Sequence, residues 1–348
     1  MTTGSEKILV VGPSWVGDMV MSQSLYIHLE NTRPGAVIDV LAPAWSEPIL
    51  ARMPQVSRAI KLPTDHGELA LGRRRQLGRQ LRAEAYSQAI LLPNSFKSAL
   101  VPWFAGVGRR TGWRGEWRYG LLNDLRRLDA EALPLMVQRF VALGMEPGAE
   151  PPRNCPVPRL VVDREQALAH RTSFGLQPDR PILALCPGAE FGGAKRWPAE
   201  YYAALATEYL DLGWQVVLYG SANDQPVTSE IHQRCGAHQY CTDLAGRTSL
   251  AEAVDLLSLS GAVVSNDSGL MHIAAALRCP VLVVYGATSP VFPPPLSRTS
   301  QVLVSDIVCS PCFQRECPLQ HHRCMREMLP AQVSAELAAL LQRSGGGA

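Results

Sequence analysis

Val263-Val264-Ser265-Asn266-Asp267-Ser268-Gly269-Leu270-Met271-His272 is the stretch on which the reading of this chain turns. The apolar run at 262–264 reads as a buried strand of a parallel sheet, and 270–277 reads as a helix. Ser268 and Gly269 fall where the strand hands over to the helix. There the first backbone N–H groups lack intrahelical partners and carry the positive end of the helix dipole. Gly269 has no side chain to hold a phosphate away from those donors. Ligands of open α/β sheets bind at the carboxyl ends of strands, which is where this turn lies. The plainer alternative is that Asp267 or Ser268 only caps the helix.

Outward from this turn the same alternation recurs on both sides. Strands are expected at 181–186, 215–219 and 281–285, with helices at 199–212, 225–234 and 250–260. Earlier in the chain, strands are expected at 7–11, 36–41, 59–62 and 88–92, with helices at 18–30, 46–52, 67–85 and 136–143. Such βαβα order implies parallel, Rossmann-like sheets. A stretch rich in Pro and Gly at 146–158 separates two halves. The predicted class is therefore α/β with an N-terminal domain at 1–158 and a C-terminal domain at 159–329. A last amphipathic helix within 330–348 carries Val333, Leu337 and Leu340, is expected to pack across the domains, and ends in a flexible tail at 344–348.

Composition narrows the class. At 348 residues, 47% hydrophobic and 18% charged, the chain describes a well-packed globular protein of two domains. No apolar run reaches the ~20 residues of a membrane span. The N-terminus lacks a basic region followed by a long apolar core, so export is not expected. Nine cysteines is an odd number for a disulfide scaffold and suits a reducing compartment, with the cytoplasm as the default. The net charge of +2 is divided unevenly: residues 1–160 hold 20 Lys+Arg against 14 Asp+Glu, and 161–348 hold 13 against 17. A basic half suits an anionic partner, either a nucleic acid, a phosphorylated glycolipid or a membrane surface. The run Arg73, Arg74, Arg75, Arg79 and Arg82 also reads simply as the solvated face of a helix.

Several loops at strand ends carry chemistry. Gly12-Pro13-Ser14-Trp15-Val16-Gly17-Asp18 follows the first strand, lacks a dinucleotide fingerprint, and places the Asp18 carboxylate at a helix start. Asp18 is there either a cap or a general base. Pro93-Asn94-Ser95-Phe96-Lys97 follows the fourth strand, and 108–120 interleaves Arg and Trp with glycines, which suits either phosphate and sugar contacts or a nucleic acid. In the second half, Pro187-Gly188-Ala189-Glu190-Phe191-Gly192-Gly193-Ala194-Lys195-Arg196-Trp197-Pro198 joins glycines and two cations to a helix start, a pattern suited to a pyrophosphate. Gly220-Ser221-Ala222-Asn223-Asp224 lies at the end of the next strand. Cys309, Cys312, Cys317 and Cys324 are not spaced as a paired zinc ribbon; zinc, a redox-sensitive loop and small buried residues all stay open.

Six of these runs, in order and spread over nearly the whole chain, resemble one family, the ADP-heptose–lipopolysaccharide heptosyltransferases. They are GPSWVGDMVM (12–21), PNSFKSAL (93–100), RRTGWRGEWRYGLLND (109–124), PGAEFGGAKRWP (187–198), SNDSGLMHIAAA (265–276) and CSPCFQRECPL (309–319). The resemblance implies a GT-B fold, two Rossmann-like domains facing a cleft, with the acceptor on the first and the nucleotide-sugar on the second. It implies inverting, metal-independent transfer of L-glycero-D-manno-heptose from ADP-heptose to the first heptose of the lipopolysaccharide inner core. Asp18 then matches the base and Lys195 the cation that meets the leaving diphosphate. Pro187, Gly188, Lys195, Arg196, Asp267, Ser268, Gly269, Leu270 and His272 fall on the donor side, with Asp224, Thr248 and Leu250 near the nucleoside. Trp15, Asn94, Lys97, Arg110 and Arg114 fall on the acceptor side. No cofactor, no metal ligand and no nucleic acid is implied. The implied partners are ADP-heptose, a heptosyl-Kdo2-lipid A acceptor and, peripherally, the cytoplasmic face of the inner membrane. The alternatives are transfer at another step of the same family (heptosyltransferase I or III), a GT-B-fold nucleotide-sugar epimerase, and a non-enzymatic glycolipid- or nucleic-acid-binding protein, which would keep the Arg/Trp loop but need neither Lys195 nor Asp18.

Overall fold

The structure, a computed structural model, describes residues 6–64 and 67–345. The chain forms two compact domains, Met1–Arg159 and Leu160–Ala348. The first contains β1 (Lys7–Val11), α1 (Val16–Thr32), β2 (Val37–Ala42), α2 (Glu47–Leu50), β3 (Val56–Lys61), α3 (Leu71–Leu81), β4 (Gln88–Leu91), α4 (Leu100–Phe104), β5 (Arg109–Trp113), β6 (Asp124–Arg126) and α5 (Met136–Gly144). Its sheet is parallel, in the order β3-β2-β1-β4-β5-β6. The second contains α6 (Arg164–Ser173), β7 (Ile182–Cys186), α7 (Ala199–Asp211), β8 (Gln215–Leu218), α8 (Gln225–Arg234), β9 (Cys241–Asp243), α9 (Leu250–Leu257), β10 (Ala262–Asn266), α10 (Gly269–Ala276), β11 (Val281–Tyr285), β12 (Ser300–Val304), α11 (Arg323–Arg326) and α12 (Pro330–Gly345). Its sheet is also parallel, in the order β12-β11-β10-β7-β8-β9.

The central strands are short, continuous apolar runs because helices cover both of their faces. KILVV of β1 and VLVVY of β11 are buried almost throughout. Both sheets reverse their order of winding beside their first strand, between β1 and β4 and between β7 and β10. At such a reversal the loops leave the carboxyl ends in opposite directions and open a crevice. The site residues of each domain gather there.

The sequence pattern missed the edges. The stretch at 108–120, expected to be one loop, enters the sheet as β5, and Thr111, Gly112 and Trp113 are buried. Its Arg-Arg start hides the strand, because both guanidiniums turn to flanking carbonyls and carboxylates instead of breaking the ladder. The short strands β6, β9 and β12 and the polar helix α6 were equally unmarked. Arg74 does not belong to a solvated face: it is buried and donates to the Leu69 carbonyl at 2.7 Å and the Thr64 hydroxyl at 3.0 Å. The last apolar stripe, Val333, Leu337 and Leu340, is buried in the second domain's core, where α12 meets α7, β11 and β12. Of the tail read at 344–348, Ser344 and Gly345 continue α12, and 346–348 lie outside the described residues.

Candidate active site

In the second domain, β10 ends at Asn266 and Asp267 follows it directly; together they tie three loops to one strand. Asn266 is fully buried. Its amide donates to the Pro187 carbonyl at 2.7 Å, and its oxygen accepts from the Trp197 N–H at 3.1 Å and the Tyr202 hydroxyl at 3.0 Å. Both ends of the 187–198 loop are thereby clasped to β10. Asp267 Oδ2 accepts from Lys195 Nζ at 2.5 Å and from the Thr288 hydroxyl at 2.7 Å. The Lys195 ammonium also lies 4.7 Å from the centre of the Phe191 ring. One fixed cation is thus held at the crevice by a carboxylate and an aromatic face.

Next comes α10. Ser268 occupies its capping position but makes no capping hydrogen bond; its hydroxyl instead lies 3.1 Å from that of Ser265. Among the described residues, the N–H groups at the start of α10 have no side-chain acceptor, and an anion placed there would meet both them and the helix dipole. His272 is buried in the same helix. Burial pushes its imidazole down to about 4; nearby Asp267 opposes the shift and Lys195 adds to it, so the ring is neutral at physiological pH.

The glycines of the 187–198 and 220–224 loops serve close packing. A Cβ on Gly188 would sit 2.6 Å from the Asp224 carboxyl carbon, and one on Gly220 2.7 Å from Asp224 Cβ. The Asp224 carboxylate accepts from the Ser221 N–H at 2.9 Å and hydroxyl at 2.8 Å and lies 3.7 Å from Arg196. Gly192 and Gly193, read from sequence as part of a loop suited to a pyrophosphate, lie close against the cysteine segment. The Arg315 carbonyl accepts the Ala194 N–H at 3.0 Å, and Glu316 accepts the Gly193 N–H at 3.2 Å. The same segment is anchored beyond β11 by Phe313 N–H to the Ala287 carbonyl at 2.7 Å and by the Ser310 hydroxyl to the Gly286 carbonyl at 2.7 Å. It braces two of the loops that line the crevice. Cys309 is exposed, Cys312 and Cys317 are half-buried and Cys324 is buried; among the described residues no three His, Cys, Asp or Glu are gathered as metal ligands.

In the first domain, α1 starts two residues before the expected point, with Trp15 at the capping position, so Asp18 is its third residue and not its cap. The Asp18 carboxylate has no hydrogen-bond partner among the described residues, and burial pushes it up to about 6. A carboxylate half-buried, unpaired and titrating near neutrality has the properties of a general base. At the adjacent carboxyl end of β4, Asn94 is exposed and Lys97 half-buried, and the Lys97 ammonium has no partner among the described residues. Just beyond β5, Arg114 is exposed, 6.0 Å from the Tyr119 ring. Trp15, Asp18, Asn94, Lys97 and Arg114 therefore share the carboxyl ends of three neighbouring strands. Arg110 is not gathered with them. It lies at the amino end of β5, and its guanidinium donates to the Leu121 carbonyl at 2.6 Å and to the Val107 carbonyl at 2.5 Å.

Three residues of the two sites were given no role from the sequence, although Asn266 and Arg118 lie within runs singled out there. Buried Arg118 donates to the Pro93 carbonyl at 2.7 Å, to Asn94 Oδ1 at 3.3 Å and to the Trp113 carbonyl, so it shapes the loop after β4 without facing solvent. Asn266 holds the 187–198 loop, and Thr288 holds the Asp267 carboxylate. Thr288 follows the apolar strand β11 in a small polar stretch, the signal that found the other site residues and could have found it too.

The model of glycosyltransferase family 9 (heptosyltransferase) matches residues 74–323. The chain is 49% identical, over 96% of its length and 98% of the other's, to lipopolysaccharide heptosyltransferase 2 of Escherichia coli K12. It is 50% identical to lipooligosaccharide heptosyltransferase 2 of Haemophilus influenzae, over 85% of this chain and 88% of that one. The solved structure of E. coli ADP-heptose lps heptosyltransferase II superimposes with a TM-score of 0.89 at 47% identity, covering 97% of this chain and 99% of that one. The two parallel six-stranded domains are those of a GT-B enzyme. The chain belongs to glycosyltransferase family 9, the heptosyltransferases.

Proposed function

We propose that this enzyme moves L-glycero-D-manno-heptose from ADP-heptose to the first heptose of the lipopolysaccharide inner core, with inversion and without a metal ion. The acceptor hydroxyl attacks the anomeric carbon of the donor, and its proton passes to the Asp18 carboxylate. The bond from the anomeric carbon to the diphosphate oxygen breaks, and its electron pair leaves with ADP. A single displacement inverts the anomeric centre. The departing diphosphate gathers negative charge, which Lys195 and the N–H groups at the start of α10 meet. A fixed cation and a helix terminus supply here what a divalent metal supplies in other transferases.

The observation that carries this reading is the clasp of Lys195 by Asp267, 2.5 Å apart, beside a helix start with no capping bond. That arrangement suits a nucleoside diphosphate and has no use in a protein that only holds a glycolipid. On the acceptor side, Asn94, Lys97 and Arg114 suit a phosphorylated sugar, and Trp15 offers a face to a pyranose ring. Contact with the cytoplasmic face of the inner membrane follows from an acceptor anchored in it. No helix among the described residues is long and apolar enough to cross a membrane.

The test is direct. Purified enzyme is mixed with ADP-heptose and heptosyl-Kdo2-lipid A, with and without EDTA, and ADP release is followed alongside the anomeric configuration of the product. Acceptor-dependent release that survives EDTA and gives an inverted product is the expected result. Release that stops with EDTA refutes metal independence, and turnover of the donor without any acceptor points to an epimerase or hydrolase.

A further inference from the structure

The outer face of α3 takes no part in either site. On its inner side Gly78 lies against α4, where a Cβ would be 2.5 Å from Phe104 Cβ, and Arg74 and Leu81 are buried. On its outer side the helix exposes Leu71, Arg73, Arg75 and Arg79. Arg73 pairs with Glu68, whereas Arg75 and Arg79 have no hydrogen bond or ion pair among the described residues. Among the described residues, Glu68 is engaged by Arg73, and Glu84 by Lys7 and Arg58. Arg75 and Arg79 border an open groove of about 520 Å³ with Gly72, Gln76 and Gln80. Beside this cationic strip stand apolar side chains that no core takes up: Leu69 and Leu71 are half exposed, as is Trp103 on the neighbouring α4.

We propose that this face docks on an anionic lipid bilayer, with Arg75 and Arg79 against headgroup phosphates and Leu69, Leu71 and Trp103 entering the interface. A helix with arginines on its polar side and large apolar residues beside them is built to lie in the plane of a membrane surface. Neither signal suffices alone; charge attraction and apolar insertion together give reversible attachment. A second copy of the chain is a poor occupant, because two such faces would bring like charges together. An acidic protein is less suited, because the groove offers no deep apolar pocket for an anchoring side chain. The inference rests on the reading of a membrane-anchored acceptor and deepens it by naming the surface that meets the membrane.

The experiment is flotation of the full chain with vesicles of phosphatidylcholine alone and of phosphatidylcholine mixed with phosphatidylglycerol. Wild-type protein is expected to float with the anionic vesicles only, less so as salt rises. The double variant Arg75→Glu/Arg79→Glu is expected to lose roughly 25-fold or more in vesicle affinity, since each arginine at an anionic surface contributes about fivefold. Leu71→Ser is expected to weaken the same binding. All variants are expected to keep wild-type turnover on a deacylated, water-soluble acceptor, which also shows that they fold. Absence of wild-type binding to anionic vesicles overturns the proposal. So does a double variant that binds them as tightly as wild type, including one whose only change is in oligomeric mass. The readout is vesicle binding and not heptose transfer, so failure here and failure of the proposed reaction are separately visible.

Discussion

The ammonium of Lys195 lies 2.5 Å from Oδ2 of Asp267, and both side chains are largely removed from water, with 13% and 7% of their surface exposed. The cation is therefore balanced before any donor arrives. Its position is fixed by the carboxylate, by the Thr288 hydroxyl on the same oxygen and by the Phe191 ring. Stabilisation of developing charge is strongest when the stabilising group is already in place.

Lys195→Ala should act on binding and on chemistry together. ADP affinity by calorimetry and turnover by ADP release are each expected to fall at least tenfold. The variant also leaves Asp267 without its counter-ion, at a stability cost of about 3 kcal/mol. Unchanged ADP affinity at full rate would remove Lys195 from the donor site.

Asp18→Asn keeps the shape and removes the base. It is expected to lower turnover by about 10²- to 10⁴-fold while ADP affinity stays near wild type. In the wild-type enzyme the carboxyl group, raised by burial to about 6, must lose its proton to act. kcat/KM is therefore expected to rise with pH through an acidic limb near 6 and to lose that limb in the variant. Normal turnover by the variant would rule out the assignment.

The same burial sets a stability slope. Asp18 ionises near 4 in the unfolded chain and near 6 in the folded one, so between these values the folded state binds more protons. Its contribution is fully present below about 4 and is lost as pH rises through 6. At pH 7 the wild type holds an unpaired carboxylate partly out of water. Asp18→Asn is expected to be more stable there by on the order of 1–2 kcal/mol and to gain nothing at pH 4. Equal melting temperatures at pH 7 would show that the carboxylate is well solvated.

Much of this was legible in the chain because burial on both faces writes itself as apolar runs. β1, β11 and α8 lie where the pattern sets them, and the strand-to-helix turn at Ser268 is real. What escaped has a common cause. β5 begins with two arginines whose charge is satisfied sideways, and β6, β9 and α6 sit at edges where one face meets water, so the period is weak. Site residues were found by type and by their place after a strand. Their partners were not, because Asn266 and Arg118 act through carbonyls far along the chain, 79 and 25 positions away. Gly192 was read only as part of a Gly-rich loop suited to a pyrophosphate, and its close approach to the Arg315 backbone had no local signal, because Arg315 is far along the chain.

His272 offers a check on the electrostatics of the donor site. Held near 4 by burial, against an ordinary value near 6.5, it gives up its proton in the folded state before it does so in the unfolded one. Stability is expected to fall as pH drops from about 6.5 towards 4, by on the order of 2–3 kcal/mol in all. His272→Gln should flatten that part of the curve. An imidazole resonance that titrates near 6.5 in the native protein would contradict the buried, neutral ring.

Gly192 joins the cysteine segment to the donor loop, and its substitution tests whether that segment matters to the site. The backbone there adopts a φ of +155°, and a Cβ would run into the Arg315 carbonyl, the group that accepts the Ala194 N–H at 3.0 Å. In Gly192→Ala either the loop or the segment has to move, at a cost of about 1–3 kcal/mol. Lys195 lies three residues on and depends on the same loop for its position. ADP affinity is therefore expected to fall several-fold, and tryptic cleavage after Arg315 and Arg323 to quicken, with the acceptor-side loop at 93–98 unaffected. If cleavage quickens while ADP affinity holds, the segment is a bystander to donor binding; if both hold, the contact between Gly192 and Arg315 is not made in solution.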